Sequence, residues 1–246
     1  MEAPNTVEAV LFDLDGTLMD HDAAASEAVV RSLPGFDPER VACRWRELTE
    51  IAMEGYLAGR LDFMEQRRLR ITTLAAELGL GAWDADRADA WMAEYQRRYR
   101  DAWRAYPDVR PVLEELGRRD LLLGVVTNGD AAQQRAKIQR IGLGAALPYV
   151  VASSEAGAAK PDPAIFRRAC AGLGLAPHAV VYVGDRLDVD ALGAASAGLH
   201  GVWLDRPREI GCPGGGAGDG EAAGPESVPV PRITTLTKLP DLFSWF

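Results

Sequence analysis

Two aspartates separated by one leucine, Asp13 and Asp15, stand where an apolar run (Val7, Ala9, Val10, Leu11, Phe12) gives way to Gly16 and Thr17. Carboxylates held about 4 Å apart repel by about 4 kcal/mol at an effective dielectric of 20. A fold keeps such a cost when a cation or a reaction needs both charges. A turn closing a strand has the same composition, so the pair alone does not decide. Three more groups follow: Thr127-Asn128-Gly129, Lys160 in Ala159-Lys160-Pro161-Asp162-Pro163, and Gly184-Asp185 with Asp188 and Asp190. Together they suit phosphoryl transfer. Magnesium takes oxygen ligands and binds through one or two carboxylates plus substrate phosphate. Asp13 and Asp185 can supply those carboxylates, and the Asp15 backbone carbonyl another oxygen. Lysine is a point charge for a phosphate oxygen, and a threonine hydroxyl with neighbouring backbone amides can hold the others. Singly, each piece has an ordinary use. Thr127-Asn128-Gly129 can end a strand, Lys160 can be an exposed loop lysine, and Asp188 and Asp190 can cap a helix. Capping is the favoured reading for Asp188. Asp190 is placed behind the site, orienting a ligand or meeting Lys160.

These residues must be brought together by the elements between them. Apolar runs bounded by turn residues occur at 7–13, 121–127, 179–184 and 201–204, with a weaker one at 149–152. Helically spaced segments separate them, which predicts an α/β fold: a parallel sheet with crossover helices. In an open parallel sheet, ligands bind outside the carboxyl ends of the strands. The acids, the hydroxyl and the lysine fall at or after those ends. Residues 20–105 break the rhythm and contain no convincing strand. Asp37-Pro38 starts a helix with the stripe Val41, Trp45, Leu48 and Ala52. Further stripes are Ile71, Leu74, Ala75 and Leu78, then Trp91, Tyr95, Tyr99, Ala102 and Trp103. The spacing predicts about four helices inserted after the first strand. Residues 1–19 and 106–246 then form a discontinuous core and 20–105 a helical insertion. Asp162-Pro163 opens another helix, which Gly172 and Gly174 should close. The Gly-rich stretch 211–225 reads as a flexible surface loop within the core. It lacks the strand–helix setting and the Gly-Lys-Ser/Thr ending of a phosphate cradle.

Composition excludes several classes. The 246-residue chain is 48% hydrophobic and 26% charged, as in ordinary globular proteins. No apolar run approaches the ~20 residues that cross a bilayer, and the acidic N-terminus lacks a signal pattern. A cytoplasmic protein is expected. The net charge of −9 argues against a nucleic-acid or membrane-surface partner. Cys43, Cys170 and Cys212 show no paired spacing, so neither a zinc site nor a disulfide framework is indicated, and plain thiols are expected.

In this order, the residues resemble the motifs of the haloacid dehalogenase superfamily of aspartate-nucleophile phosphatases. Asp13-Leu14-Asp15-Gly16-Thr17 resembles its first motif and Thr127 its second-motif hydroxyl. Lys160 resembles the third-motif lysine, and Gly184-Asp185 with Asp190 the acidic fourth motif. The match spans residues 7 to about 205, and the first motif is highly specific. The helical insertion resembles the family's α-helical cap. The resemblance implies a Rossmann-like core, a magnesium cofactor and hydrolysis of a small-molecule phosphate ester. It implies Asp13 as nucleophile and Asp15 as acid and base. It also implies Thr127, with Asn128 beside it, and Lys160 as phosphate-binding residues, and Asp13, Asp15 and Asp185 as the metal site. Halide-removing members lack the second aspartate, so Asp15 favours a phosphatase. A sugar-phosphate mutase would use the same aspartyl phosphate, and a non-catalytic module on this fold is a third reading. Readers of the non-phosphate end of a substrate are sought in the insertion at His21, Arg60, Arg67, Arg68 and Arg70; a solvated helix face is the ordinary reading of those arginines. Monomer and homodimer both remain open.

Overall fold

The run Ala9–Phe12 forms strand β1 and is wholly buried, as a strand covered on both faces must be. The computed structural model describes residues 7–207 and 229–244. After β1 come four helices: α1 (His21–Ser32), α2 (Pro38–Leu57), α3 (Phe63–Glu77) and α4 (Ala85–Asp101). Alternation of strand and helix then sets in: α5 (Val109–Gly117), β2 (Leu122–Thr127), α6 (Ala131–Arg140), β3 (Tyr149–Ala152), α7 (Ser153–Ala156), α8 (Pro163–Leu173) and β4 (Val180–Gly184). A π-helical turn (Leu187–Ala191) leads into α9 (Leu192–Ser196), β5 (His200–Leu204) and β6 (Arg232–Ile233).

The six strands form one sheet in the order β3-β2-β1-β4-β5-β6. Every neighbouring pair is parallel. This is the Rossmann-like α/β architecture. The chain leaves β1 for the centre, with β2 on one side and β4 on the other, so the sheet order reverses direction there. That reversal is where open α/β sheets bind ligands. Leu11, Val126, Ile165, Phe166 and Tyr182 pack the core on this sheet.

The chain divides into two compact units. One holds the sheet and its helices: residues to Asp20, then Arg104 onward. The other is helical, His21–Trp103 among the described residues. In the helical unit Asp37, Asp62 and Asp84 cap α2, α3 and α4. Asp62 and Glu65 make a reciprocal capping box. The stripe Val41, Trp45, Leu48, Ala52 is buried, as are Ile71, Leu74 and Ala75. Trp45 donates from Nε1 to the Tyr95 hydroxyl at 2.9 Å. Trp91, Tyr95 and Tyr99 stack in near-parallel succession along α4.

Two local readings are corrected. Gly172 lies inside α8, which ends at the left-handed Gly174. A Cβ at Gly172 would fall 2.2 Å from the Tyr149 hydroxyl, so packing and not termination explains that glycine. The two-residue β6 is too short to show as an apolar run. Cys43 is disulfide-bonded, whereas Cys170 is a buried free thiol. The stretch 211–225 and Cys212 lie outside the described residues. No helix among the described residues is long and apolar enough to cross a membrane.

Candidate active site

The Asp13 backbone N–H donates to Val183 at 2.9 Å, extending the β1–β4 ladder by one residue. That bond fixes Asp13 at the strand's carboxyl end, where its side chain is buried. The chain must turn at once, and Gly16 does so with φ +88°. A Cβ on Gly16 would also fall 2.5 Å from Asp185 Oδ2. Glycine therefore supplies both the left-handed turn and the room for the β4 carboxylate.

Lys160 reaches the same point from the loop before α8. Its Nζ lies 2.5 Å from Asp13 Oδ1, 2.6 Å from Asp190 Oδ1 and 2.9 Å from the Tyr182 hydroxyl. The three ammonium donors are thus fully used, which is what a lysine only 6% exposed requires. The backbone of Lys160 is held as well. Asn128 donates from Nδ2 to its carbonyl at 3.0 Å and accepts its N–H at 2.8 Å. Both ends of the Asn128 side-chain amide thus hold the Lys160 backbone. Asp190 accepts the Arg186 N–H on its other oxygen at 3.0 Å. The Thr17 hydroxyl lies 3.4 Å from Asp185 Oδ1, and Trp203 Nε1 donates to the Asp185 carbonyl at 3.0 Å.

Carboxylate oxygens of Asp13, Asp185 and Asp190 lie within 4.8 Å of one another. The Asp15 carboxylate is not in this cluster. It turns to α6, where Lys137 Nζ lies 2.8 and 2.6 Å from its two oxygens. Gln134 Nε2 lies 3.1 Å from Asp15 Oδ2 and 2.7 Å from the buried Thr127 hydroxyl. Asp188 does not cap the π-helical turn, which has no side-chain cap; it is exposed, 3.4 Å from the Arg186 guanidinium.

Burial pushes the Asp13 carboxyl up to about 8, with Asp190 and Asp185 adding to it and Lys160 opposing. Burial likewise lifts Asp185 to about 7, with Asp190 adding to it. Burial pulls Lys160 down, but Asp13 and Asp190 outweigh it, so the ammonium is held above its ordinary range. Three carboxylates facing one ammonium leave a surplus of negative charge in a mostly buried site. Hard oxygen ligands with uncompensated charge fit a divalent cation such as magnesium.

Gln134, Lys137 and Tyr182 escape a reading by strand ends. Tyr182 lies mid-strand in an apolar run, and its hydroxyl donates to the Val126 carbonyl at 2.8 Å. Gln134 and Lys137 do carry a signal: with Ala131 and Ile138 they fall on the buried stripe of α6. In the helical unit, His21 Nδ1 lies 2.6 Å from the Tyr99 hydroxyl. Arg68 pairs with Asp89, Arg60 with Glu54, and Arg67 lies over Phe63. Arg70 is buried against Trp45, and its Nε has no hydrogen-bond partner. Arg97 and Arg98 pair with Glu94 along α4.

A family model described as haloacid dehalogenase-like hydrolase matches residues 7–198. A protein of Methanopyrus kandleri named glyceraldehyde 3-phosphate phosphatase is 34% identical over 206 residues, 81% of this chain and 84% of its own. A Bacillus subtilis HAD-hydrolase bound to magnesium superposes with a TM-score of 0.76 at 20% identity, over 97% of this chain and 99% of its own. The L-2-haloacid dehalogenase of Xanthobacter autotrophicus superposes with a TM-score of 0.68 at 24% identity, covering 97% and 99%. At such identities the two structures share the fold alone, and the fold does not separate their chemistries.

Proposed function

The chain belongs to the haloacid dehalogenase-like hydrolases, and from that premise we propose that it is a phosphatase hydrolysing small-molecule phosphate monoesters through Asp13. The observation that carries the reading is the Lys160 ammonium bridging Asp13 and Asp190, beside the Asp185 carboxylate. The phosphatase named among the relatives supports the reaction class.

In the first half-reaction an Asp13 carboxylate oxygen bonds to phosphorus while the ester P–O bond breaks. The departing alcohol oxygen takes a proton from Asp15. In the second, a water oxygen bonds to phosphorus, the P–O bond to Asp13 breaks and inorganic phosphate leaves. The proton of that water passes to Asp15. Splitting one hard displacement in two is what covalent catalysis achieves. Thr127 and Lys160 hold the phosphoryl oxygens, and Asp190 and Asn128 keep Lys160 in position. Asp13, Asp185 and the Asp15 carbonyl would hold magnesium, which supplies charge to ionise Asp13 and to offset the phosphoryl oxygens. The helical unit acts as a cap that excludes water and reads the rest of the substrate. The presence of Asp15 favours a phosphate ester over a haloacid.

The test is phosphate release from a panel of sugar phosphates, nucleotides, phosphoglycolate and acyl-sugar phosphates with magnesium supplied. Turnover of at least one ester is expected, lost on adding EDTA. Asp13→Asn should remove essentially all of it while the circular dichroism spectrum stays unchanged. A tenth of the rate retained by that variant would require another nucleophile.

A further inference from the structure

A lysine on the buried stripe of a helix is out of place unless something there needs its charge. Lys137 is such a residue, with a side chain 7% exposed. Its ammonium grips both oxygens of Asp15, and Gln134, one turn earlier on α6, contacts Asp15 Oδ2. The same Gln134 nitrogen bonds the Thr127 hydroxyl and lies 3.2 Å from the Asn128 carbonyl. The carboxylate is therefore fixed in one orientation and tied to the loop after β2. We propose that Lys137 and Gln134 are positioning residues that hold the Asp15 carboxylate for the second half-reaction, in which it accepts the proton of the attacking water. The inference rests on the phosphatase reading above. Both oxygens are engaged by N–H donors, so the carboxylate cannot swing away from the place where the attacking water must meet it.

4-Nitrophenyl phosphate isolates the step, because nitrophenolate leaves without needing a proton. With this substrate Lys137→Met should give a rapid burst of nitrophenolate equal to the enzyme present, then slow turnover. The kcat should fall about 100-fold, the scale of a lost general base. The kcat/KM, which ends at nitrophenolate departure, should stay within about threefold. Asp15→Asn should show the same burst, and adding Lys137→Met to it should cost nothing further, because one residue acts through the other. Should Lys137→Met fail to fold by circular dichroism, Gln134→Leu carries the same burst test. Proportional loss of kcat and kcat/KM without a burst would overturn the proposal, as would an unchanged kcat or a double variant slower than Asp15→Asn. Wild-type protein that releases no phosphate from any ester refutes instead the reading on which it rests.

Discussion

Asn128 holds Lys160 by both the N–H and the C=O of its backbone, while the lysine side chain binds three other residues. Removing the amide frees the loop that carries the ammonium. Each hydrogen bond is worth about 0.5–1.5 kcal/mol. Asn128→Ala should lower the melting temperature by a few degrees and raise KM for a phosphate ester about tenfold, a factor equal to about 1.4 kcal/mol. Steady-state kinetics and a thermal melt check both; an unchanged KM would mean that the Lys160 loop needs no such anchor. Asp13, Thr127, Lys160 and Asp185 were legible in the sequence because each follows an apolar run, and strand ends gather at one rim. Tyr182 was not, and Lys137 showed only as a lysine on the buried stripe of α6, without its partner. Their partners, Lys160 and Asp15, are 22 and 122 positions away, and no local pattern records such pairings.

Among the elements, the π-helical turn after β4 sets the position of Asp190. Asp190 folds back over Gly184 so closely that a Cβ there would fall 2.3 Å from its carboxyl carbon. Gly184→Ala must displace that carboxylate and with it the Lys160 ammonium. Overpacking of this kind costs about 1–3 kcal/mol. Misplacement of a catalytic group by an ångström costs about 100-fold in rate. The expected variant is folded, destabilised and about 100-fold slower; kinetics near the wild-type rate would show that Asp190 tolerates the shift. The α2 start at Asp37-Pro38 and the five longer strands were readable because caps and apolar runs are local signals. The two-residue β6 and the π-helical form of the turn at Leu187–Ala191 were not, since pairing and helix type there depend on neighbours distant in sequence.

For the whole molecule, charge links folding to metal. In the unfolded chain Asp13 and Asp185 release protons near their ordinary 3.8, whereas in the folded protein they hold them to about 8 and about 7. Between those values the folded state binds more protons, so stability falls as pH rises. Carboxyls held low, such as Glu94 beside Arg97 and Asp108 beside Arg206, act only below about pH 5 and do not offset this. In EDTA the melting temperature should decline from pH 5 to pH 8. Millimolar magnesium should raise it and flatten the slope, through binding to the native state. A melting temperature that climbs with pH in EDTA, or ignores magnesium, would contradict the charge surplus around Asp13.

The tryptophans are unevenly shared between the two units. Trp45, Trp83, Trp91 and Trp103 belong to the helical unit, and Trp45 and Trp91 lie edge-to-face at 5.4 Å. Trp203 belongs to the sheet unit, where its indole N–H donates to the Asp185 carbonyl. Four of the chain's six tryptophans thus lie in one unit. Replacing its four indoles, and Trp245, with phenylalanine would leave Trp203 alone as a built-in optical probe one hydrogen bond from the rim of the sheet.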